Sequence, residues 1–515
     1  MSEMEKDIKQ TEPSMGSYVD PDNIEAGKIS PAISTDDDVT PRRGFFGKIA
    51  NKLSCLPIED RGIEPVKPEN RDGKQSVIDG FTMWASANLT PATFAVGTLG
   101  PTFGLGFWDS FIIIILFNAL ISCIVAWIGC LGPTTGMRMM TIGRYSMGIW
   151  GSRLVICLTV CGLIGWAAVN SLSGAQVLNE LSDGNCPLWA GNLIIGLVAG
   201  CICVMGYEAV HMFERYCWIP QLFAFCFIAG YGAKHFSAGA APMGHGQAEA
   251  ANALSFMGTL YSFLIAWAGT AADYYVRLPE NTNKVKLGSS IWAGNFFGAC
   301  VTQILGAAFM TAVNNEAAFA DAYNSRQVGG VMGEALIPIH GFGKFLLALL
   351  ALSVIACNLV NLYSLAFMCQ NFHPVMIRVP RFVWSFLGSA IAIGLAIGAE
   401  NSFNTALQSI MDIIGYYNSA IVVCMVLEHY VFRKGKYPLE DWDQLHKLPW
   451  GIAGFFTLCM AFVGAVLTMK QEWYTGVISR AIKPVHSDLG WLFSIIFSVI
   501  TFLPLRWAEK KIFKR

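Results

Sequence analysis

Long apolar stretches separated by short polar segments fill most of the chain beyond residue 75. A helix needs about 20 mostly apolar residues to cross the hydrocarbon core of a membrane, and twelve stretches meet that requirement. They lie near residues 80–103, 108–131, 153–178, 188–206, 216–234, 256–275, 288–312, 343–369, 381–398, 403–431, 449–469 and 487–505. The pattern predicts an all-α integral membrane protein with twelve transmembrane helices.

The composition agrees with a chain that lies mostly in lipid. Hydrophobic residues make up 54% of it and charged residues 14%, against roughly 25% charged residues in soluble domains. A net charge of −1 without a basic stripe argues against a nucleic-acid partner. Most of the 15 cysteines fall inside apolar stretches, where we interpret them as small packing residues and not as disulfides.

Residues 1–75 have a different composition, with 15 acidic and 11 basic side chains and several prolines. Such a segment cannot bury enough apolar surface to fold, so we expect a disordered N-terminal tail. Because no basic region precedes an apolar core there, we expect no cleavable signal peptide. The first membrane helix would then direct insertion.

The distribution of positive charge predicts the orientation in the membrane. An even number of spans places both termini on one side, and loops rich in Lys and Arg face the cytoplasm. The opposite side has only six such residues, whereas the side of the termini has eighteen even without the tail: Arg138, Arg144, Arg153, Arg215, Arg277, Lys284, Lys286, Arg378, Arg381, Arg433, Lys434, Lys436, Lys447, Arg506, Lys510, Lys511, Lys514 and Arg515. Both termini are therefore predicted to be cytoplasmic.

Two of the predicted spans carry helix-breaking residues near their middle. The first holds Ser86, Asn88 and Pro91, and the sixth holds Gly269 and Thr270. Discontinuous helices at corresponding positions of two halves are how secondary transporters build binding sites at mid-membrane. The alternative is that the proline only kinks its helix and the glycine only allows close helix packing.

Spans one and six are five apart, which is the spacing of two inverted five-helix repeats. This interpretation divides the chain into a cytoplasmic tail (1–75), a ten-helix inverted-repeat core (76–435), two additional transmembrane helices (436–505) and a basic cytoplasmic tail (506–515). The predicted fold is a five-plus-five inverted repeat with two extra helices.

Several segments together resemble a known family. They are GWAAVNS (165–171), HMFERYCWIPQL (211–222), AADYYVRLPENT (271–282), IACNLVNLYSL (355–365) and IGYYNSAIVVCMVLEHYVFRKG (414–435). From about residue 70 onward the chain is similar to the fungal purine-cytosine permeases of the nucleobase:cation symporter family. The resemblance implies a plasma-membrane carrier that imports cytosine and purines, such as adenine, guanine and hypoxanthine, with protons.

The chain departs from the family in the eighth span. Where the family motif reads Ile-Ala-Asn-Asn-Ile-Pro-Asn, residues 355–361 read Ile-Ala-Cys-Asn-Leu-Val-Asn. Cys357 thus replaces an asparagine, and Val360 replaces a proline. These changes affect the expected substrate range, and a relative with altered or narrower specificity fits them.

A nucleobase is a flat aromatic ring edged with donors and acceptors, so its site calls for stacking faces and neutral amides. Trp166 and Asn170 are four apart and share a helical face, as do Asn358 and Asn361 at three apart. The predicted substrate-binding residues are Trp166, Asn170, Trp267, Asn358, Asn361, Ser86 and Asn88. Ordinary packing of the indoles, with amides that only join helices at about 0.6 kcal/mol each, is the alternative.

Charged residues inside spans are candidates for ion coupling. Glu214, Asp273 and Ser353 are predicted to take part in coupling or gating, with Glu214–Arg215 and Asp273–Arg277 as possible gate pairs. The expected coupling cation is a proton. A sodium site built from carbonyls and the Ser353 hydroxyl is left open.

Other classes of function have less support. Integral-membrane enzymes show clustered metal ligands or a nucleophile with its base, whereas His211 and Glu214 stand alone and the sequence lacks HExxH and Walker motifs. We therefore expect no catalytic residues, no metal and no cofactor. Among carriers, the rival cargo is another small heteroaromatic such as pyridoxine.

Overall fold

The computed structural model describes residues 62–71, 75–203 and 207–515. This part of the chain forms a helical bundle with 14 helices of ten or more residues. They are α1 (Asp79–Asn88), α2 (Pro91–Thr102), α3 (Phe107–Gly129), α4 (Met139–Leu181), α5 (Leu188–Cys203), α6 (Tyr207–Gly232), α7 (Gly246–Ala268), α8 (Lys284–Asn315), α9 (Ala317–Leu336), α10 (His340–Phe372), α11 (Arg381–Gly398), α12 (Phe403–Leu427), α13 (Ile452–Thr468) and α14 (Gly490–Phe513).

Shorter elements join these helices. Three are short α-helices, Leu131–Thr135, Pro374–Ile377 and Val477–Ala481, and a π-helical segment, Glu428–Arg433, continues α12. Six are 3₁₀ turns: Pro68–Asn70, Ala233–His235, Ala238–Ala240, Ala271–Tyr274, Ile337–Ile339 and Leu439–Asp441. Strands β1 (Lys470–Gln471) and β2 (Tyr474–Thr475) form an antiparallel hairpin with Lys470 opposite Thr475.

The all-α membrane architecture predicted from the sequence is confirmed. Helix occurs at each predicted span, and nine helical segments of the described chain are long and apolar enough to cross a membrane. Helices α5 and α13 are apolar but shorter. The total of twelve crossings stays a prediction.

The first predicted span is broken, as its sequence indicates. Helix α1 ends at Asn88, and α2 begins at Pro91, where the missing backbone N–H of proline costs no hydrogen bond. Thr90 between them is extended, and its hydroxyl accepts a hydrogen bond from the backbone N–H of Thr93 at 3.3 Å. The second half of the span thus has its own N-cap, which stabilises the break.

The sixth predicted span is broken too. Helix α7 ends at Ala268, and after Gly269 and Thr270 the chain continues as the 3₁₀ turn Ala271–Tyr274. Both interruptions predicted from the sequence are therefore present. They lie in the first and the sixth predicted spans.

Helix α8 holds both halves of the broken first span in place through glycines. A Cβ atom on Gly294 would overlap the carbonyl of Phe81 in α1, and one on Gly306 would overlap the carbonyl of Phe94 in α2. From the other side, a Cβ on Gly97 in α2 would overlap the carbonyl of Gln303. Backbone therefore packs directly on backbone along this interface, as small residues permit in membrane bundles.

We expect Gly97→Ala to destabilise the fold by about 1–3 kcal/mol, because the added methyl must push α2 away from α8. The measurement is the thermal unfolding midpoint in detergent. Gly394→Ala is the matched control, since a Cβ there meets no atom within 4 Å. Equal midpoints for the two variants would contradict the close packing described here.

Three elements were not expected from hydropathy alone. Helix α9 carries Asp321, Arg326 and Glu334, so it has no long apolar run. Helix α4 begins well before the predicted span because Gly148, at φ 65°, joins a first segment to the main helix. The hairpin β1–β2 is too short to produce an alternating pattern.

The predicted tail lies mainly outside the described residues. Its last part, residues 62–71, packs on the bundle: Ile63 is buried, and the N–H of Val66 donates to the carbonyl of Gly136 at 2.8 Å. The Arg71 guanidinium donates to the carbonyl of Pro133. These residues thus cover the turn that precedes α4.

A buried ion network joins the last three helices at the end of the bundle where α1 begins, which we call the Asp79 end. Arg506 of α14 donates two hydrogen bonds to the carboxylate of Glu428, each 2.8 Å long. Arg433 adds a third at 2.9 Å. Glu509 accepts from the backbone N–H of Gly451, just before α13, at 2.8 Å. The charges compensate one another and hold α12, α13 and α14 together.

Candidate functional site

Helices α4 and α10 pack along each other and bring two predicted amides into contact. The Nδ2 of Asn170 lies 3.2 Å from the Oδ1 of Asn358. Asn358 in turn donates to the Ser171 hydroxyl at 3.0 Å and to the Ala167 carbonyl at 3.3 Å. Both amides are buried, and their contact is not predictable from the sequence pattern.

Cys357 occupies the position next to this pair. Its sulfur lies 3.2 Å from the Nδ2 of Asn170, and a thiol sulfur is a weak acceptor. One amide hydrogen of Asn170 is therefore directed at a poor partner. The residue that departs from the family motif is in direct contact with a predicted binding residue.

Asn361 lies one helical turn further along α10. It is buried, and its Nδ2 has no hydrogen-bond partner in the described part of the chain. The neighbouring Val360 carbonyl is occupied, since it accepts the Tyr274 hydroxyl at 2.9 Å. A buried amide donor without a partner costs free energy unless a ligand or water satisfies it.

The two predicted stacking residues pack against different aromatic neighbours. The Trp166 ring meets Phe263 edge-on at 5.5 Å, and the Trp267 ring meets Trp84 edge-on at 5.2 Å. The Nε1 of Trp166 is buried without a partner among the described residues. That Trp166 and Trp267 stack on opposite faces of a bound substrate ring remains a prediction.

Asn88 stands at the end of α1 and connects three helices. Its Oδ1 accepts the Trp267 indole N–H at 3.3 Å, and its Nδ2 donates to Asn295 of α8 at 2.9 Å. Its backbone carbonyl accepts the Thr302 hydroxyl at 3.1 Å. The side chain thus ties the broken first span to α7 and α8.

Helix α6 presents a polar stripe to the other side of α1. Glu214 is buried, and neither of its carboxyl oxygens has a hydrogen-bond partner in the described chain, although the Ser86 hydroxyl and the Cys357 thiol lie near it. Two turns later, Gln221 donates to the Ser86 hydroxyl at 3.4 Å and leaves its own Oε1 unpartnered. An uncompensated carboxyl group therefore lies among the candidate residues.

The expected gate pair Glu214–Arg215 is not formed. Arg215 instead donates to both oxygens of Asp79 in α1, at 2.8 and 2.6 Å. Adjacent residues point about 100° apart around a helix, so the two side chains face different neighbours. The ion pair that joins α6 to α1 at the Asp79 end is therefore Arg215–Asp79.

Asp273 follows the break in the sixth span and is bonded to two other helices. One carboxyl oxygen accepts the backbone N–H of Met139 at 2.8 Å, and the other accepts the Ser364 hydroxyl at 3.0 Å. Its own carbonyl accepts from Arg138 at 3.3 Å. The carboxyl group thus links the 3₁₀ turn to the start of α4 and to α10, a placement that suits gating.

Ser353 is buried on α10, five residues before Asn358, and its hydroxyl donates to the Leu350 carbonyl of its own helix at 2.6 Å. The hydroxyl oxygen still has lone pairs to offer. Its part in ion coupling stays a prediction.

Several residues at this site were not singled out by sequence reasoning. Trp84, Ser171, Gln221 and Asn295 all contact a predicted residue. Gln221 had a usable signal, because it lies seven positions after Glu214 and therefore on the same helical face. The others are ordinary polar or aromatic residues of apolar spans, and only the packing identifies them.

Comparison with known proteins fits this arrangement. Residues 65–478 match the family described as permease for cytosine/purines, uracil, thiamine, allantoin. The chain is 35% identical to purine-cytosine permease FCY21 of Saccharomyces cerevisiae, over 93% of this chain and 92% of that one. It is 26% identical to vitamin B6 transporter TPN1 of Saccharomyces cerevisiae, over 91% and 90% of the two chains.

A solved structure has the same fold. MHP1, a nucleobase-cation-symport-1 family transporter in a closed conformation with bromovinylhydantoin bound, superposes with a TM-score of 0.66 at 14% identity, over 87% of this chain and 95% of that one. This likeness supports the inverted-repeat architecture. The family match and the 35% identical relative show that the chain is a transporter and not an enzyme, and that it belongs to the family of permeases for cytosine/purines, uracil, thiamine and allantoin.

Proposed function

We propose that this permease imports nucleobases, namely cytosine and purines such as adenine, guanine and hypoxanthine, across the plasma membrane in symport with protons. Both termini are cytoplasmic in this proposal. The observation that carries it is a set of buried amides and indoles on α1, α4, α7 and α10, two of which, Asn361 and Trp166, have a polar atom without a partner in the described chain. The purine-cytosine permease named above supports the choice of substrate.

The chemistry of the cluster suits a neutral heterocycle. Asn170, Asn358 and Asn361 offer both donors and acceptors, as the edge of a nucleobase does. Trp166 and Trp267 offer aromatic faces on which a ring can stack. The Asn170–Asn358 bond is at the long end of the N–H···O range at 3.2 Å, and the Cys357 sulfur is a weak acceptor, so both contacts can be exchanged for hydrogen bonds to a base.

Pyridoxine is the second candidate substrate, because a vitamin B6 transporter is among the relatives. Its ring also stacks and carries polar substituents. A competition panel separates the two: one radiolabelled base is challenged with cytosine, adenine, guanine, hypoxanthine, uracil and pyridoxine. Competition by cytosine and purines supports the proposal, whereas competition by pyridoxine alone would replace it with the second candidate.

Proton coupling predicts the response of uptake to ions. Uptake should rise as the external pH falls and should collapse with a protonophore, and replacement of external sodium should have little effect. The measurement is the initial rate of uptake of the labelled base. Strict dependence on sodium at constant pH would contradict proton coupling and would favour a sodium site that includes the Ser353 hydroxyl.

Reversal of the two motif departures should change substrate preference. We expect the double variant Cys357→Asn, Val360→Pro to alter the competition profile more than its surface abundance. An amide at 357 gives Asn170 a stronger partner than the thiol, and a proline at 360 frees the carbonyl of Ala356 within α10. An unchanged profile with normal surface abundance would show that both departures are neutral.

A further inference from the structure

Five exposed lysines cluster where α14 and the segment after α12 end, at the Asp79 end of the bundle. We call them the lysine surface: Lys434, Lys436, Lys510, Lys511 and Lys514. No carboxylate of the described chain lies within 4.0 Å of their ammonium groups, since the ion pairs of this region use other cations. The positive charge of the lysine surface is therefore open to an external partner.

The acidic side chains near the lysine surface are already engaged. Glu428 is bound by Arg433 and Arg506, Glu509 lies 3.6 Å from Arg506, and Asp441 is paired with Lys447. Glu440 is exposed. One exposed carboxylate against five lysines leaves a net positive field on this surface.

Exposed aromatic rings surround these lysines. Trp450 is 50% exposed and Trp507 is 62% exposed, and the Phe513 ring lies 5.7 Å from the Trp450 ring. The Lys511 ammonium is 5.1 Å from the Trp507 ring. Indole rings with neighbouring lysines at a helix end are typical of the boundary between lipid tails and headgroups.

The base of the lysine surface is rigid. The bidentate bond of Arg506 to Glu428 joins α14 to α12, and the Lys510 ammonium donates to the Phe432 carbonyl at 3.2 Å. Ion pairing inside the protein thus keeps the two segments that carry the lysines at a constant spacing. A fixed spacing of the two segments lowers the ordering cost when their lysines bind an anion.

We propose that the lysine surface binds the headgroups of anionic phospholipids in the adjacent leaflet. Helix α14 is among the least buried spans, so most of its surface away from α12 and α13 is left to lipid. A lipid satisfies both features of the site, because its phosphate meets the lysines and its acyl chains cover Trp507 and Ile512. A soluble phosphate would meet only the first. Bound lipid would brace α14, and through Glu428 also α12.

The test uses the full chain in nanodiscs of phosphatidylcholine, with and without phosphatidylserine. We expect phosphatidylserine to raise the thermal unfolding midpoint and to co-purify in native mass spectra. In Lys510→Gln, Lys511→Gln, Lys514→Gln the midpoint shift should vanish, and the affinity should fall about 100-fold if each lysine contributes as juxtamembrane cations usually do. Arginine at the three positions should restore binding.

A triple variant at the other end of the bundle, Lys234→Gln, Lys470→Gln, Lys483→Gln, is the control, and it should respond to phosphatidylserine like the unchanged protein. Retention of the full shift in the Lys510/511/514 variant would overturn the proposal. So would an equal shift produced by inorganic phosphate in phosphatidylcholine nanodiscs, because the partner would then be a soluble anion.

Discussion

Alanine at Asn170 or at Asn358 should weaken uptake of the base by roughly five- to 150-fold while the protein still reaches the plasma membrane. The reason is the loss of one hydrogen bond in a desolvated site, which leaves a polar group of the substrate unpaired and costs about 1–3 kcal/mol. The Nδ2 of Asn170 and the Oδ1 of Asn358 are 3.2 Å apart, so both substitutions change the same contact between α4 and α10. The measurement is KM for uptake together with surface abundance.

Asn118→Ala is the matched control for a purely structural amide. Asn118 is equally buried, and it joins α3 to α8 through a 2.7 Å hydrogen bond to Gln303. Its loss should lower stability and surface abundance, with KM preserved in the protein that remains. If both site variants behave like Asn118→Ala, the asparagines only hold helices together.

Trp166→Phe should reduce uptake only mildly and Trp166→Ala severely, because phenylalanine keeps a stacking face.

Glu214→Gln should abolish concentrative uptake without loss of stability. A buried carboxyl with no hydrogen-bond partner burdens the fold, so a neutral amide of equal size at that position should leave the unfolding midpoint unchanged or raised. Transport driven by protons, by contrast, needs a group that gains and loses charge. The measurements are accumulation of labelled base against a pH gradient and the unfolding midpoint of the same preparation.

Two outcomes would speak against this role. A drop in stability would mean that the carboxyl has a structural partner, and undiminished accumulation would mean that the proton is carried elsewhere. Glu214→Asp is the companion variant, because it keeps a titratable group on a shorter arm and should retain part of the accumulation.

The break points of the fold could be predicted from single residues. Pro91 and Gly269 mark positions where a helix inside a membrane cannot continue undisturbed, and chain order alone placed them five spans apart. The shared face of Trp166 and Asn170 also follows from helix periodicity. Such features are local, so a sequence is enough to find them.

Contacts between helices that are distant in sequence could not be predicted. The Asn170–Asn358 bond depends on the register of α4 against α10, which no local pattern records. The sequence predicts the adjacent Glu214 as the partner of Arg215, whereas the actual partner, Asp79, lies 136 positions away. Helix α9 was missed because its charges interrupt any apolar run, although Phe319 and Val331 bury its inner face.

The contacts of Asn88 bear on which movements of the helices the fold permits. Through one side chain and one carbonyl, the first broken span is bonded to α7 and to α8. A movement that pulled the first broken span away from α7 and α8 would rupture all of these bonds at once, and lipid could not replace them. A movement that carries α1, α7 and α8 as one body past α4 and α10 breaks none of them. The substrate layer between these two groups, with Asn170 and Asn358 on one side and Trp267 on the other, would then be the surface along which the transporter slides.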